Sequence, residues 1–511
     1  MEGFVYEFWE GDQLTATLLR ETEAQLQGSF FAPARFKANS SAQEQVATGA
    51  GIAPVTQSDL IGQQRFLPLN QGQAVGRLRL VDDIDEARDL QPSDIVVLRQ
   101  VPITLPPVAG VLTERPSTLL SHVNLLARGW GIPNAYVRDA SRSLAALDGQ
   151  WVQLRVGAKD YALRKATDAE REETIKNIAN KAAVTGASIA PDLQSQALRP
   201  LAQLRASQRK QCGAKAANLG EIRHGKLANV EVPDGFCIPF GHYARAMATF
   251  GLAERVARMA QLPGFDSDAQ VRRNALTQLR QAIETMPLDA AVERPWRERW
   301  ATQLGNTGVF VRSSSSSEDL PHFSGAGLYT TVPNVRQADA LAGAVRKVWA
   351  SVFNFEAWEA RRAAGIDQSA VVMAVLVQKA VDSEASGVMV TRDPYGNTPY
   401  TTYIAAKRGI GIRVVEGQRV AEQVLYSSWS KAVQVLSRSG EESALQLDPQ
   451  GGVREVALPA ERNVLSDARV QRLASVGSAI ERLFGNHAQD IEWALQGERI
   501  LILQARPFAG N

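Results

Sequence analysis

GVFVRSSSSSEDLPHFSGAGLYTTVPNV (residues 308–335) places an arginine, five serines and a glycine-rich loop between two β-strand patterns. The first strand pattern ends at Arg312, whose guanidinium can bind two phosphate oxygens at once. Gly325 and Gly327 allow the backbone to approach phosphate oxygens closely. The alternative is a flexible surface loop, because serine and glycine are common in loops. The position of the loop between two strands favours phosphate binding.

A lysine in a second segment has similar potential. Lys215 lies in QCGAKAANLGEI (211–222), where a loop enters a helical pattern. From there its ammonium group can reach a phosphate as a point charge. A solvated surface lysine is the alternative at this position.

Two adjacent strand patterns near the end of the chain carry carboxylate, amide and guanidinium groups. Alternation along a strand puts Asp490 and Glu492 on one face, and Gln504 and Arg506 on one face of the neighbouring strand. Oxygen ligands beside an arginine suit Mg²⁺ that carries nucleotide phosphates. A cross-strand salt bridge is the alternative.

A histidine lies at a predicted helix entrance in VAGVLTERPSTLLSHVNLLARGWGIPN (108–134). A strand pattern and a polar turn precede a helix that begins near His122. The N-terminus of a helix offers free N–H groups and the positive end of its dipole, which suit an attached phosphoryl group. The alternative is an ordinary surface or capping residue.

Composition restricts the class of protein. The 511 residues are enough for two to four domains, and 45% apolar with 22% charged residues is ordinary for a globular protein. The net charge of +2 gives no reason to expect a nucleic-acid or membrane partner. Cys212 and Cys237 are too few for a disulfide framework or a cysteine-based zinc site. The start lacks a signal-peptide pattern and the apolar runs are short, so we expect a cytoplasmic protein.

The distribution of strand and helix patterns predicts four regions. Near the start, a helix is predicted from Gln13 to Gln27. A loop or linker is predicted from Asn39 to Gly51, because this stretch is rich in Ser, Ala, Gln and Gly. Antiparallel hairpins mixed with long helices in the second half favour an α+β arrangement. The predicted regions are an N-terminal extension of unknown role (1–70), a compact α/β domain (71–165), a linker (166–200) and a larger α/β region (201–511).

Taken together, these segments resemble the phosphohistidine dikinases: phosphoenolpyruvate synthase, pyruvate phosphate dikinase and the α-glucan water dikinases. The resemblance is collinear and covers about four-fifths of the chain. The matching pieces are LSHVNLLARGWGIPN, CGAKAANLGE, VFVRSSSSSEDLPHFSGAGLYTTVPNV, LVQKAV with SGVMVTRDP, and QDIEWAL with ILILQARP.

The resemblance implies a multidomain protein of α+β and α/β units. A swivelling β/β/α phosphohistidine domain would be followed by an ATP-grasp nucleotide-binding domain. It also implies that His122 is phosphorylated, that Arg312 is catalytic, and that Glu492 and Gln504 bind Mg²⁺. The residues implied to bind ATP are Lys215, Arg312, Gly325, Gly327, Gln378 and Arg506.

The implied activity is that of an ATP-dependent dikinase that phosphorylates His122, relays the phosphoryl group to an acceptor and releases AMP. The histidine domain precedes the ATP domain, as in the α-glucan water dikinases, so we expect an α-glucan acceptor. The chain ends five residues after Arg506, without the pyruvate-binding barrel of the phosphoenolpyruvate synthases. A second hypothesis therefore has pyruvate as acceptor and the barrel on a separate subunit. A third is a non-catalytic, nucleotide-binding phosphocarrier.

Overall fold

A computed structural model of the chain describes residues 4–9, 12, 14–55, 60, 64–82, 90–99, 105–115, 122–181, 190–320, 323–325, 327–394, 400–412, 421–459 and 463–508. These residues form an N-terminal unit (residues 4–55), a seven-stranded unit (residues 66–165) and a C-terminal unit (residues 199–508). Helices and strands occur in all three units, so the predicted mixed α/β multidomain class is confirmed.

The N-terminal unit consists of two parallel strands covered by two helices. Thr15 caps the first helix by accepting a hydrogen bond from the backbone N–H of Leu18. Leu19, Phe36 and Ala47 are buried between the helices and the strands. The elements are β1 (Phe4–Glu7), α1 (Ala16–Ser29), β2 (Ala34–Lys37) and α2 (Ser41–Ala50).

The loop or linker predicted from Asn39 to Gly51 is wrong, because α2 occupies most of it. The Ser40 side chain accepts a hydrogen bond from the N–H of Gln43, and Gly51 ends the helix at φ 73°. The serine, alanine and glycine content that suggested a linker instead supplies two helix caps and small buried side chains. The helix predicted from Gln13 to Gln27 is present as α1.

The seven-stranded unit is a mixed sheet in the order β3-β7-β6-β5-β4-β8-β9. The strands β4 to β7 pair in parallel and the outer strands pair antiparallel. The sheet begins at Phe66, ahead of the boundary predicted at residue 71. Pro68 lies at an irregularity of this edge strand, where a missing N–H is tolerated. The strands are β3 (Phe66–Asn70), β4 (Gly72–Val81), β5 (Asp94–Leu98), β6 (Gly110–Thr113), β7 (Asn134–Val137), β8 (Trp151–Val156) and β9 (Tyr161–Lys165).

A helix, α3 (His122–Gly129), crosses from β6 to β7 and agrees with the helix predicted to begin near His122. Val123 packs into the core of the seven-stranded unit. The side-chain amide of Asn134 donates to Asn124 Oδ1 at 2.8 Å, which ties the start of α3 to β7. A short helix, α4 (Ala140–Ser143), follows β7.

The connector contains a helix, α5 (Asp168–Lys181), whose start is a capping box between Thr167 and Glu170. Further on, residues 190–198 lie against the C-terminal unit. A Cβ atom at Gly241 would be only 2.3 Å from the carbonyl oxygen of Ser195. His242 Nε2 donates to the carbonyl oxygen of Gln196 at 2.7 Å. This end of the connector is therefore anchored.

The C-terminal unit contains a five-stranded antiparallel sheet in the order β10-β11-β16-β12-β15. Its first strand ends at Pro200, so the chain joins this sheet before residue 201, where the larger region was predicted to begin. The strands are β10 (Arg199–Pro200), β11 (Gly235–Ile238), β12 (Val309–Ser315), β15 (Thr331–Val335) and β16 (Met373–Lys379). A hairpin, β13 (Asp319–Leu320) and β14 (Phe323–Ser324), lies between β12 and β15.

Helices surround this sheet and enclose a large apolar core. Trp296, Trp300 and Trp349 have at most 1% of their surface exposed. Cys212 and Cys237 form a disulfide that joins the first helix of this unit, Arg209–His224, to β11. We did not predict this pairing from the sequence. The helices are α6 (Arg209–His224), α7 (Phe240–Thr249), α8 (Leu252–Ala260), α9 (Ala269–Thr285), α10 (Ala290–Leu304), α11 (Ala338–Ala350) and α12 (Phe355–Ala363).

A second antiparallel sheet of the C-terminal unit has six strands in the order β20-β19-β18-β17-β23-β24, and a final helix packs on it. Its elements are β17 (Ala385–Val390), β18 (Thr401–Arg408), β19 (Glu422–Ser427), β20 (Val433–Ser437), β23 (Gln489–Gln496), β24 (Arg499–Pro507) and α13 (Asp467–Leu483). A hairpin, β21 (Ser443–Leu447) and β22 (Val453–Ala457), precedes α13. In the part of the chain that the structure describes, no helix combines the length and apolar character needed to cross a membrane.

Candidate active site

A cavity of about 410 Å³ lies between the two large sheets of the C-terminal unit. Its volume is in the range of small-molecule sites. Residues of β12 and β16 form one wall, and residues of β17, β23 and β24 form the other. All eight residues predicted to bind ATP or Mg²⁺ line it: Lys215, Arg312, Gly325, Gly327, Gln378, Glu492, Gln504 and Arg506.

Arg312 contacts both walls of the cavity. Its Nη2 atom donates to Glu492 Oε2 at 2.7 Å and to Gln504 Oε1 at 3.4 Å. Its Nη1 atom donates to the carbonyl oxygen of Leu503 at 2.7 Å and to Gln378 Oε1 at 3.3 Å. The planar guanidinium therefore holds β12 and β16 against β24 and β23.

The strands β23 and β24 bring four polar side chains to the cavity in the predicted alternation. Asp490 is the register partner of Arg506, and Glu492 is the partner of Gln504. Arg506 Nη2 donates to Asp490 Oδ2 at 2.7 Å. The salt bridge that we considered as an alternative is thus present, within the cavity.

Lys215 reaches the cavity because α6 is kinked at Gly213. Gly213 has φ 71°, and a Cβ atom there would be 2.4 Å from Ser314 Oγ. This close approach places Lys215 Nζ 2.8 Å from Glu318 Oε1 and 3.3 Å from Ser313 Oγ. Only glycine combines this φ with so little space.

Glu318 is a site residue that sequence reasoning missed. Only 6% of its surface is exposed, and it is the ion-pair partner of Lys215. Its carbonyl oxygen accepts a hydrogen bond from the N–H of Gly325 at 3.1 Å, so it also holds the glycine-rich loop. Its place directly after the serine run was visible in the sequence, but its partner lies 103 positions earlier. No local pattern indicates that pairing.

The glycine-rich loop lies close to this carboxylate. A Cβ atom at Gly325 would be 2.9 Å from Glu318 Cγ, and Gly327 has φ 71°. Tyr329, which also lines the cavity, is hydrogen-bonded through its hydroxyl to Ser317 and to the buried Arg361. The loop is thus held at both ends.

Cations and carboxylates form ion pairs in the cavity. The three ion pairs are Lys215 with Glu318, Arg312 with Glu492, and Arg506 with Asp490. Burial raises the pKa of Glu492, but the charges of Arg312, Lys215 and Arg506 outweigh it, so the pKa is lowered. Glu492 is therefore ionised at neutral pH.

Carboxylate and amide oxygens in the cavity could serve as ligands of a hard cation. Glu492 Oε2 and Gln504 Oε1 both point to one atom, Arg312 Nη2, within 3.4 Å. Carboxylate and amide oxygens are the ligands that Mg²⁺ prefers, usually together with substrate phosphates. Among the described residues, no group of three or more His, Cys, Asp and Glu side chains could hold a metal by itself. The donor set suits a cation that shares its ligands with a bound phosphate.

The side chain of His122 lies outside the described part of the structure, although its backbone begins α3. The helix itself lies against β14, directly before Gly325. The contacts of α3 therefore bring the seven-stranded unit to the edge of the cavity.

The family model described as "Pyruvate phosphate dikinase, AMP/ATP-binding domain" matches residues 209–510. The chain belongs to this family. The match covers every residue that lines the cavity and begins after His122.

Curated relatives align over the same share of the chain. A probable phosphoenolpyruvate synthase of Archaeoglobus fulgidus is 33% identical over 304 residues, which is 58% of this chain and 39% of the relative. A rifampicin phosphotransferase of Streptomyces sp. is 32% identical over 303 residues, 58% of this chain and 34% of the relative. A probable phosphoenolpyruvate synthase of Methanocaldococcus jannaschii is 31% identical over 307 residues, 58% of this chain and 25% of the relative. The chain spans less than two-fifths of the length of these relatives.

Proposed function

We propose that this chain is an ATP-dependent phosphotransferase of the dikinase type, which transfers a phosphoryl group from ATP to His122 and then to an acceptor. The observation that carries the proposal is the convergence of Lys215, Arg312, Arg506 and Glu492 in one cavity of an AMP/ATP-binding family domain. Phosphoryl transfer depends mainly on positioning and on neutralising charge, which such a set of residues supplies.

Each side chain has a role that follows from its chemistry. Lys215 binds a phosphate oxygen as a point charge, while Arg312 and Arg506 bind phosphate oxygens in a planar fork. Backbone N–H groups near Gly325 and Gly327 approach the phosphates closely. Gln378, which contacts Arg312, orients its guanidinium. When ATP and Mg²⁺ bind, the cations exchange their carboxylate partners for phosphate oxygens.

Mg²⁺ fits the oxygen donors of Glu492 and Gln504, with Asp490 nearby. When bound, it would offset negative charge on the transferring phosphoryl group. The ionised state of Glu492 at neutral pH suits this ligand role.

His122 is the proposed phosphoryl acceptor within the chain. A neutral imidazole nitrogen forms a bond to phosphorus while the bond from phosphorus to the bridging oxygen of the nucleotide breaks. In the dikinase scheme AMP is the final nucleotide product: of the two phosphoryl groups that ATP loses, one stays on His122 and the other passes to water and leaves as inorganic phosphate. The seven-stranded unit would be the swivelling phosphohistidine domain, and the C-terminal unit the ATP-grasp domain. Support comes from the apolar core that each unit has and from the connector between the units.

The names of the relatives suggest the class of acceptor. The relatives described above are named for phosphoenolpyruvate synthesis and for rifampicin phosphorylation, and neither name refers to a glucan. We therefore place small-molecule acceptors first: pyruvate, or a hydroxyl compound such as rifampicin. An α-glucan remains the hypothesis suggested by domain order.

Labelled ATP tests the proposal. The purified chain is incubated with Mg²⁺ and either β- or γ-³²P-labelled ATP, and protein-bound, acid-labile label is measured together with AMP. We expect label on wild type and none on His122→Ala. Pyruvate, rifampicin and glycogen are then compared for discharge of the label. ATP binding without labelled protein would instead support a non-catalytic nucleotide-binding role.

A further inference from the structure

The helix that begins at His122 packs against two units at once. Val123 belongs to the core of the seven-stranded unit, whereas Leu126, with 1% of its surface exposed, packs into the core of the C-terminal unit. Trp130, just after the helix, contacts both cores. These apolar contacts join the histidine-bearing helix to the unit that contains the cavity.

Arg128 adds a directional contact on the same helix. Its Nη2 atom donates to the carbonyl oxygen of Pro394 at 3.1 Å. Its guanidinium carbon lies 6.0 Å from the centre of the Phe508 ring, at the outer limit of a cation–π contact. Pro394 follows β17, and Phe508 directly follows β24, so both partners lie just beyond strands that form the cavity.

The spacing links this contact to the site. From His122 to Arg128 the helix rises about 9 Å, since each residue adds about 1.5 Å. A rigid helix anchored at Arg128 therefore has a defined position at its first residue. Small errors in position reduce transfer rates strongly, by about 100-fold for 1 Å.

We propose that Leu126, Arg128 and Trp130 form a docking surface that positions the His122 helix for phosphoryl transfer from ATP. This inference rests on the proposed function. In it, the three residues are positioning residues, and none of them lines the cavity. Interfaces between domains of one chain resemble transient protein–protein interfaces, so this contact can be released before transfer to a second site.

Single-turnover labelling of Arg128→Ala tests the docking surface. We expect the rate of His122 labelling by ATP to fall about 10- to 100-fold, with an unchanged Kd for a non-hydrolysable ATP analogue. Arg128→Lys keeps a donor for the carbonyl oxygen of Pro394 and should be intermediate. Arg142→Ala, which removes an exposed arginine of the same unit, is the matched control and should label at the wild-type rate.

A second variant acts from the other side of the contact. Phe508→Leu removes the ring while retaining an apolar side chain, and it should slow labelling in the same direction as Arg128→Ala. Hydrogen–deuterium exchange of residues 122–130 should increase in both variants even without ATP. Wild-type labelling rates with unchanged exchange in both would refute the docking surface. Absence of label in the wild type would instead refute the proposed function, and the exchange measurement would still test docking.

Discussion

At the level of single residues, the cavity is balanced by pairs of opposite charge. Arg312 and Glu492 form one such pair, and Lys215 and Glu318 form another. Removing one partner of a buried pair leaves an uncompensated charge. Phosphates and a cation would replace these partners when they bind, so ligand binding and stability are coupled through the same side chains.

Glu318→Gln tests this coupling. Loss of the counter-charge of Lys215 should lower the unfolding free energy of the ligand-free chain by about 1–3 kcal/mol. Phosphates would supply the missing charge, so the rise in Tm on adding Mg²⁺ and ATP should exceed that of the wild type. Glu356→Gln, whose partner Arg273 is partly exposed, is the control and should leave the ATP-induced rise unchanged. An unaltered ligand-free Tm for Glu318→Gln would contradict the proposed coupling.

At the level of elements, the kink in α6 determines where Lys215 lies. Gly213→Ala should lower the unfolding free energy by about 1–3 kcal/mol from backbone strain alone, and its clash with Ser314 should add to this. The affinity for ATP should also fall, because the kink places Lys215 in the cavity. Gly343→Ala, at a helical position with nothing within 4 Å of an added Cβ, is the matched control and should gain up to about 1 kcal/mol. Denaturant unfolding measures the stability of each variant, and titration with ATP measures its affinity. If Gly213→Ala were as stable as Gly343→Ala, the kink would not require glycine.

The contact between His242 and Gln196, which anchors the end of the connector, should be sensitive to pH. Burial lowers the pKa of His242; the hydrogen bond to Gln196 opposes this, and the charge of Arg245 adds to the lowering. Trp296 Nε1 donates to His242 Nδ1 at 3.3 Å, so the neutral ring is the form that fits. Protonation therefore favours the unfolded chain, in which the pKa is near 6.5.

The unfolding free energy should consequently fall as the pH decreases below about 6.5, by at most about 1.4 kcal/mol per pH unit for this one proton. His242→Gln should remove that part of the slope, as measured by denaturant unfolding across the acidic range. His487→Gln serves as the control. If the unfolding free energy of His242→Gln depended on pH as that of the wild type does, His242 would not be the source of the slope.

At the level of the whole molecule, a buried ion cluster joins the N-terminal unit to the second sheet of the C-terminal unit. Arg438 forms ion pairs with Glu44 of α2 and with Glu422 of β19. Ser41 Oγ donates to Asp467 Oδ1 at 2.8 Å beside it. Burial raises the pKa of Glu422 despite the opposing charge of Arg438 and two backbone N–H donors.

Arg438→Met should lower the unfolding free energy by about 3–5 kcal/mol, because Glu422 would remain buried without a counter-charge. The loss should be smaller in acidic than in alkaline buffer, since protonation of Glu422 removes the charge. Arg155→Met breaks an exposed pair with Asp160 and should change stability by about 0–1 kcal/mol. A loss for Arg438→Met as small as this control would show that the cluster does not stabilise the contact between the units.

The sequence by itself determined several of the elements and most of the wall of the cavity. Strand alternation predicted that Asp490 and Glu492 share a face, as do Gln504 and Arg506, and the register of β23 and β24 confirms it. The helix beginning at His122 was also predicted. These features involve residues close together in the sequence. The regular geometry of a strand or helix determines which of their side chains share a face.

Only the tertiary structure decided which distant residues meet. The pair of Lys215 with Glu318, the disulfide of Cys212 with Cys237, and the contact of Arg128 with Pro394 join segments with no shared local pattern. The helix α2, predicted as a loop, shows the same limit, because its caps and its burial against Phe36 outweigh its composition. Such contacts arise from the packing of whole units, in which the burial of apolar surface selects one arrangement.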